Sequence, residues 1–147
     1  MGKRILLIDD DIASSPEKTG PGSGVVMWYY AQSLRDLGYE VVETNSADRA
    51  FEILTTQRFD LFLVDLMMPP GKLFAVAETD AGLRTGVVVA ERLAETHPDT
   101  PVVILTMVAN PSSIKLLRNN RNVKGILHKN EYLPSAVAEE IKEILGV

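Results

Sequence analysis

Four short apolar runs of β character are each followed closely by a reactive polar residue, and this pattern constrains the chain most. Ile5-Leu6-Leu7-Ile8 leads into Asp9-Asp10-Asp11, and Leu61-Phe62-Leu63-Val64 leads into Asp65. Pro101-Val102-Val103-Ile104-Leu105 is followed by Thr106, and Gly125-Ile126-Leu127 by His128 and Lys129. Runs without polar interruption suit strands buried on both faces, the situation of a parallel sheet. The carboxyl ends of such strands open onto one edge, where these folds bind ligands. The pattern therefore predicts that remote segments deliver carboxylates, a hydroxyl and an ammonium to one pocket.

Amphipathic stretches separate these runs. Strands are expected at 3–9, 40–44, 60–65, 101–106 and 124–128, and helices at 25–37, 46–56, 83–96, 112–119 and 132–145. Helical spacing places Leu133, Val137, Ile141 and Ile144 on one stripe. Ala47, Ala50, Phe51 and Leu54 form another, and Leu83, Val87, Ala90, Leu93 and Ala94 a third. Gly38 stands where a left-handed helix end is wanted. Ser46 and Ser112 stand where N-caps belong, and Pro98 closes the third helix. Strands alternating with helices predict an α/β fold with helices on both faces of the sheet. Right-handed crossovers make the (βα)5 flavodoxin-like doubly wound order 2-1-3-4-5 the natural solution.

At 147 residues the chain fits one domain, 1–147, with a substantial core. No apolar run approaches the roughly 18 residues of a membrane helix, and the first strand core is too short for a signal peptide. Cysteine is absent, which excludes disulfides and thiolate metal sites. A cytoplasmic home is the default expectation. The formal charge of −5 argues against a general nucleic-acid binder. Lys115, Arg118, Arg121, Lys124 and Lys129 nevertheless fall in a stretch without acids. That stretch reads either as a solvated basic face or as a docking surface for an acidic partner.

Mg²⁺ takes oxygen ligands, commonly one or two carboxylates together with waters and a phosphate. Asp9, Asp10 and Asp65 offer such carboxylates, and the carbonyl of Met67 would add another oxygen. Acids at strand ends also cap helices, which is the plainer reading of Asp10 or Asp11 taken alone. A carboxylate can act as a nucleophile toward phosphorus. Asp65 ends the most apolar strand and is the candidate. Thr106 would hydrogen-bond one phosphoryl oxygen and Lys129 would place a charge on another.

With these runs in order, the chain resembles the receiver domain of bacterial two-component response regulators over essentially its whole length. The matching segments are residues 5–11, 61–69, 101–106 and 125–129. The resemblance implies phosphorelay signalling rather than enzymatic turnover. It makes Asp65 the phosphoacceptor, Asp9 and Asp10 the acidic pair holding Mg²⁺, Thr106 the switch hydroxyl and Lys129 the phosphate-contacting lysine. The donor would be a phosphohistidine on a sensor histidine kinase or phosphotransfer protein. Nothing follows the fifth helix, so output is expected through an unidentified partner protein, or through a homodimer on the face of the fourth helix, fifth strand and fifth helix.

The chain also departs from the family pattern. Ile126 stands where receivers often carry Tyr or Phe, Asn130 where proline usually follows the lysine, and bulky Met107 after Thr106. The connections at about 11–24 and 66–82 exceed the usual 2–6 residues of strand-to-helix loops, which suggests either tolerated insertions or a lid over the site. Two rival readings follow. A pseudo-receiver would keep the fold without phosphorylation. An aspartate-dependent phosphohydrolase would want a general acid at position 67, which is Met67.

Overall fold

The computed structural model describes residues 2–9, 25–66, 68, 71, 84–107 and 111–146. Ten elements alternate along the chain: β1 (Arg4–Ile8), α1 (Val25–Asp36), β2 (Glu40–Thr44), α2 (Ala47–Leu54), β3 (Leu61–Val64), α3 (Thr85–Thr96), β4 (Val102–Thr106), α4 (Pro111–Arg118), β5 (Val123–His128) and α5 (Pro134–Leu145). The strands form one sheet in the order β2-β1-β3-β4-β5, all pairs parallel. This is the expected five-stranded flavodoxin-like arrangement.

The apolar strand runs are needed because each strand feeds two cores, its side chains alternating between the faces. Leu6, Ile8, Phe62, Val64, Val102 and Ile104 point to the α2–α3–α4 side, joining Ala50, Ala90, Leu93 and Leu117. Ile5, Leu7, Leu61, Leu63, Val103 and Leu105 point to the other side, against Tyr30, Ala31 and Leu34 of α1 and Val137 and Ile141 of α5.

Local signals act largely as expected. Ser46 caps α2 by accepting a hydrogen bond from the Arg49 amide, and Gly38 has a φ of +96°. Two expectations are corrected. Ser112 lies inside α4, which starts at Pro111, where a ring with fixed φ and no N–H suits the first helical turn. Leu133 does not share the α5 stripe: it is the extended N-cap residue and is 74% exposed. Pro134 occupies the first turn after it, so the periodic face begins later, at Val137.

The amino-terminal edge of the sheet is closed by structural polar groups. The Arg4 guanidinium reaches Glu40, the Arg58 carbonyl and Gln57. The Asn122 amide faces the carbonyls of His97, Pro98 and Thr100. His97 sits edge-on to Phe62 with ring centroids 5.5 Å apart. Its burial pulls the imidazole pKa below the ordinary 6.5, because charging a desolvated ring is unfavourable. The folded state therefore prefers neutral His97, and this stability is complete above about pH 6.5 and lost as pH falls below it. Comparing wild type with His97→Phe across pH 7.5 to 5 should show the wild-type melting temperature dropping faster on acidification. Parallel curves would contradict this.

Candidate phosphoryl and metal site

The opposite, carboxyl-terminal edge gathers the reactive groups. Ile8 pairs with Val64 across β1 and β3, so the next residues, Asp9 and Asp65, leave adjacent strands side by side. The backbone ladder continues through both acids: the Asp9 amide donates to the Thr44 carbonyl at 3.0 Å and the Asp65 amide to the Ile8 carbonyl at 2.9 Å. Both are therefore fixed in the frame of the sheet. Asp9 is 0% exposed, Asp65 7% and Thr106 1%.

Two buried carboxylates at neighbouring strand ends repel and need compensation. Lys129 provides it. Its ammonium stands 2.8 Å from Asp9 Oδ2 and 3.9 Å from Asp65 Oδ2. The Lys129 amide donates to the Thr106 carbonyl at 2.8 Å, which ties the lysine to the end of β4. The described residues thus bring together four of the six residues expected at this site: Asp9, Asp65, Thr106 and Lys129. Asp10 and Met67 lie outside the described residues, as do nearly all of the two long connections. The paired carboxylates present only hard oxygen donors, a chemistry that fits Mg²⁺. Among the described residues alone, no cluster of three or more potential ligands forms a complete metal site.

Two supporting residues escaped the reading of the sequence. Gly86, in the first turn of α3, packs directly on the backbone that follows the nucleophile candidate. Its amide donates to the Leu66 carbonyl at 2.8 Å. A Cβ there would lie within 3 Å of the Asp65 carbonyl oxygen and 2.6 Å from Leu66 Cα. The neighbouring Thr85 hydroxyl donates to the Met68 carbonyl. Tyr30 is the other. Its hydroxyl lies 2.7 Å from the Tyr132 carbonyl and 3.1 Å from that of Lys129. Burial pushes the Tyr30 phenol up in pKa, with the Lys129 charge pulling weakly the other way. A glycine–backbone contact and a long-range phenol bond leave no periodic trace, so only the topology reveals them.

The departures noted in the sequence take definite form. Among the described residues no peptide bond is cis, so the backbone after Lys129 passes through Asn130 in the trans form. Ile126 is half-buried against the α2–α4 core. Met107 is 57% exposed.

The match to known proteins agrees with this geometry. Residues 23–139 match the model of the response regulator receiver domain, and the chain belongs to that family. Receiver domains are typically signalling modules of two-component systems. They generally bind Mg²⁺ for phosphorylation and interact with histidine kinases or phosphotransfer proteins. Over 104 residues the chain is 34% identical to the oxygen regulatory protein NreC of Staphylococcus carnosus, a match covering 67% of this chain and 41% of that relative's length. A CheY-like receiver domain protein from Methanospirillum hungatei superimposes with a TM-score of 0.75 at 21% identity, covering 99% of this chain and 95% of the other. The isolated receiver domain of RcsB from Salmonella enterica, solved with a phosphomimetic, gives 0.71 at 17% identity, covering 99% and 90%. Among the described residues, no helix is long and apolar enough to cross a membrane.

Gly86→Ala tests how tightly the end of β3 is held. The added methyl meets backbone rather than a yielding side chain, so overpacking should cost about 1–3 kcal/mol. Asp65 should shift with it. Denaturant unfolding together with chemical-shift changes at Asp65 would check this, and an unchanged midpoint would count against the close packing.

Proposed function

We propose that the whole chain, 1–147, works as one receiver domain that accepts a phosphoryl group on Asp65 and signals by protein contact. The observation that supports this most directly is the Lys129 ammonium, 2.8 Å from Asp9 and 3.9 Å from Asp65 at one sheet edge. A cation placed there can follow negative charge as it moves from carboxylate to phosphoryl oxygen.

In this reading an Asp65 carboxylate oxygen attacks the phosphorus of a phosphohistidine on a histidine kinase or phosphotransfer protein. The new O–P bond forms as the N–P bond breaks, and the departing imidazole nitrogen keeps the electron pair and takes a proton. Lys129 turns from Asp9 toward the phosphoryl group, and the Thr106 hydroxyl donates to another of its oxygens. Asp9, Asp10 and Asp65, with the Met67 carbonyl, would hold Mg²⁺. When bound, the ion supplies hard positive charge that neutralises phosphoryl oxygens.

Two surfaces suit the partners. Beside the site, an apolar groove of about 410 Å³ is lined by Tyr29, Tyr30, Lys129, Tyr132, Leu133 and Pro134. The exposed Leu133 and Tyr29 would give a donor protein apolar purchase next to the nucleophile. Along α4 and β5 a second groove of about 600 Å³ runs past Ile114, Lys115, Arg118 and His128. Its cations suit an acidic output partner, and the same α4–β5–α5 face is the one proposed for a homodimer, through its apolar residues. The location proposed is the cytoplasm, where phosphorelay donors act.

Incubation with Mg²⁺ and acetyl phosphate should add a single phosphoryl mass, absent in Asp65→Asn and without divalent cation. Lys129→Met should slow labelling by about 100- to 1,000-fold, in line with removal of one charge-stabilising donor. A correctly folded wild type that takes no label from acetyl phosphate or a histidine-phosphorylated donor would indicate a pseudo-receiver. Continuous turnover of a generic phosphate ester would indicate a phosphohydrolase instead.

A further inference from the structure

The position of Lys129 is demanding. β5 is separated from β1 by β3 and β4, three inter-strand steps that amount to about 14 Å of backbone distance. Extended lysine and aspartate side chains joined by a hydrogen bond cover only about the same span. The 2.8 Å contact between Lys129 and Asp9 therefore leaves little slack. The turn between β5 and α5 must be held leaning back across the sheet.

The backbone ties the start of that turn to β4, where the Lys129 amide donates to the Thr106 carbonyl, and folds the rest back on β5. The Glu131 and Tyr132 amides both donate to the His128 carbonyl, at 3.0 and 3.2 Å. Position 130 is Asn rather than a ring that would restrict the backbone. The side-chain anchor from across the fold is Tyr30. Its hydroxyl reaches the carbonyls at both ends of the segment 129–132, across 99 and 102 residues of sequence. Tyr30 belongs to α1, whose Ala31 and Leu34 pack on the same face of the sheet as Ile5 and Leu7 of β1. A bond from this helix holds the turn toward the Asp9 side. The ring is 2% exposed, so its hydroxyl is directed by packing rather than by its own rotational preference.

We infer that Tyr30 is a positioning residue for phosphoryl transfer: its hydroxyl holds the Lys129–Tyr132 turn so that the lysine ammonium reaches Asp9 and Asp65. This rests on the proposed phosphoacceptor function but can be tested apart from it. Tyr30→Phe keeps the ring and removes only the hydroxyl. Labelling by acetyl phosphate with Mg²⁺ should slow, by up to about 100-fold, the cost of a misplacement of about 1 Å. In the same variant, solvent exchange of the Lys129 ammonium protons, followed by NMR on ¹⁵N-lysine protein, should accelerate several-fold. Leu34→Val in the same helix loosens the core without touching the turn, and should leave both readouts at wild-type values even where its melting temperature falls.

Wild-type labelling and wild-type exchange in Tyr30→Phe would overturn the inference, as would equal effects from Leu34→Val. If wild type takes no label at all, the phosphoacceptor reading fails. The exchange measurement then decides alone: acceleration in Tyr30→Phe upholds the positioning role, and no change removes it.

Discussion

The buried contact between Lys129 and Asp9 is the interaction on which the site depends. Buried ion pairs are poor sources of stability, because desolvating two charges offsets most of their attraction. A domain under pressure only to fold would do better with apolar side chains at these strand ends. Here the lysine has a second task. Asp9 and Asp65 leave paired strands as neighbours, and two unit charges about 4 Å apart interact by roughly 4 kcal/mol at an effective dielectric of 20. Without a cation between them, one acid would take up a proton or the strand ends would move apart. The ammonium, 2.8 Å from one carboxylate and 3.9 Å from the other, offsets that repulsion.

The sheet order supplies the rest of the constraint. Strand β1 lies between β2 and β3, so its acid is central and closed off, at 0% exposure. β5 lies at the edge, so its lysine must reach inward from the rim. The two ends of the sheet divide the labour. The amino edge is tied by Arg4 and Asn122, each bonded to several partners, and contributes rigidity. The carboxyl edge places groups of opposite charge in one buried cluster, an arrangement that costs stability and makes sense as a site.

Much of this was legible in the residues themselves. All ten elements fall within two residues of where the sequence pattern put them, because β1, β3 and β4 are apolar runs buried on both faces and three of the helices carry a named stripe. The sheet order followed from chain handedness. The convergence of Asp9, Asp65, Thr106 and Lys129 followed from their shared position at the carboxyl ends of strands. What remained hidden was tertiary. Leu133 fits a heptad-like spacing, yet Pro134 starts the helix after it and leaves it in solvent. Ser112 has a capping side chain, yet Pro111 already occupies the first turn. Tyr30 is buried in the core, and only the fold shows where its hydroxyl ends. Gly86 matters for its missing side chain, because the backbone after Asp65 passes against it.

The same geometry indicates where a change of charge would be felt. Under the proposed chemistry, a phosphoryl group on Asp65 brings new oxygens close to an ammonium already held by Asp9. Attraction to that group would pull on the turn after β5 and on Thr106, joined to it by the Lys129 amide. The elements next in line are unequally held. The α5 helix buries Val137, Ala138 and Ile141 in a continuous stripe, whereas α4 buries only Ser113 and Leu117. A short helix with two buried side chains is held by less packing than α5, and regions with few buried apolar contacts open at lower free energy. Ile126 packs against that side of the core without a hydroxyl to relocate. Ile126 therefore offers that side of the core apolar packing alone, next to the exposed Lys115 and Arg118 of α4.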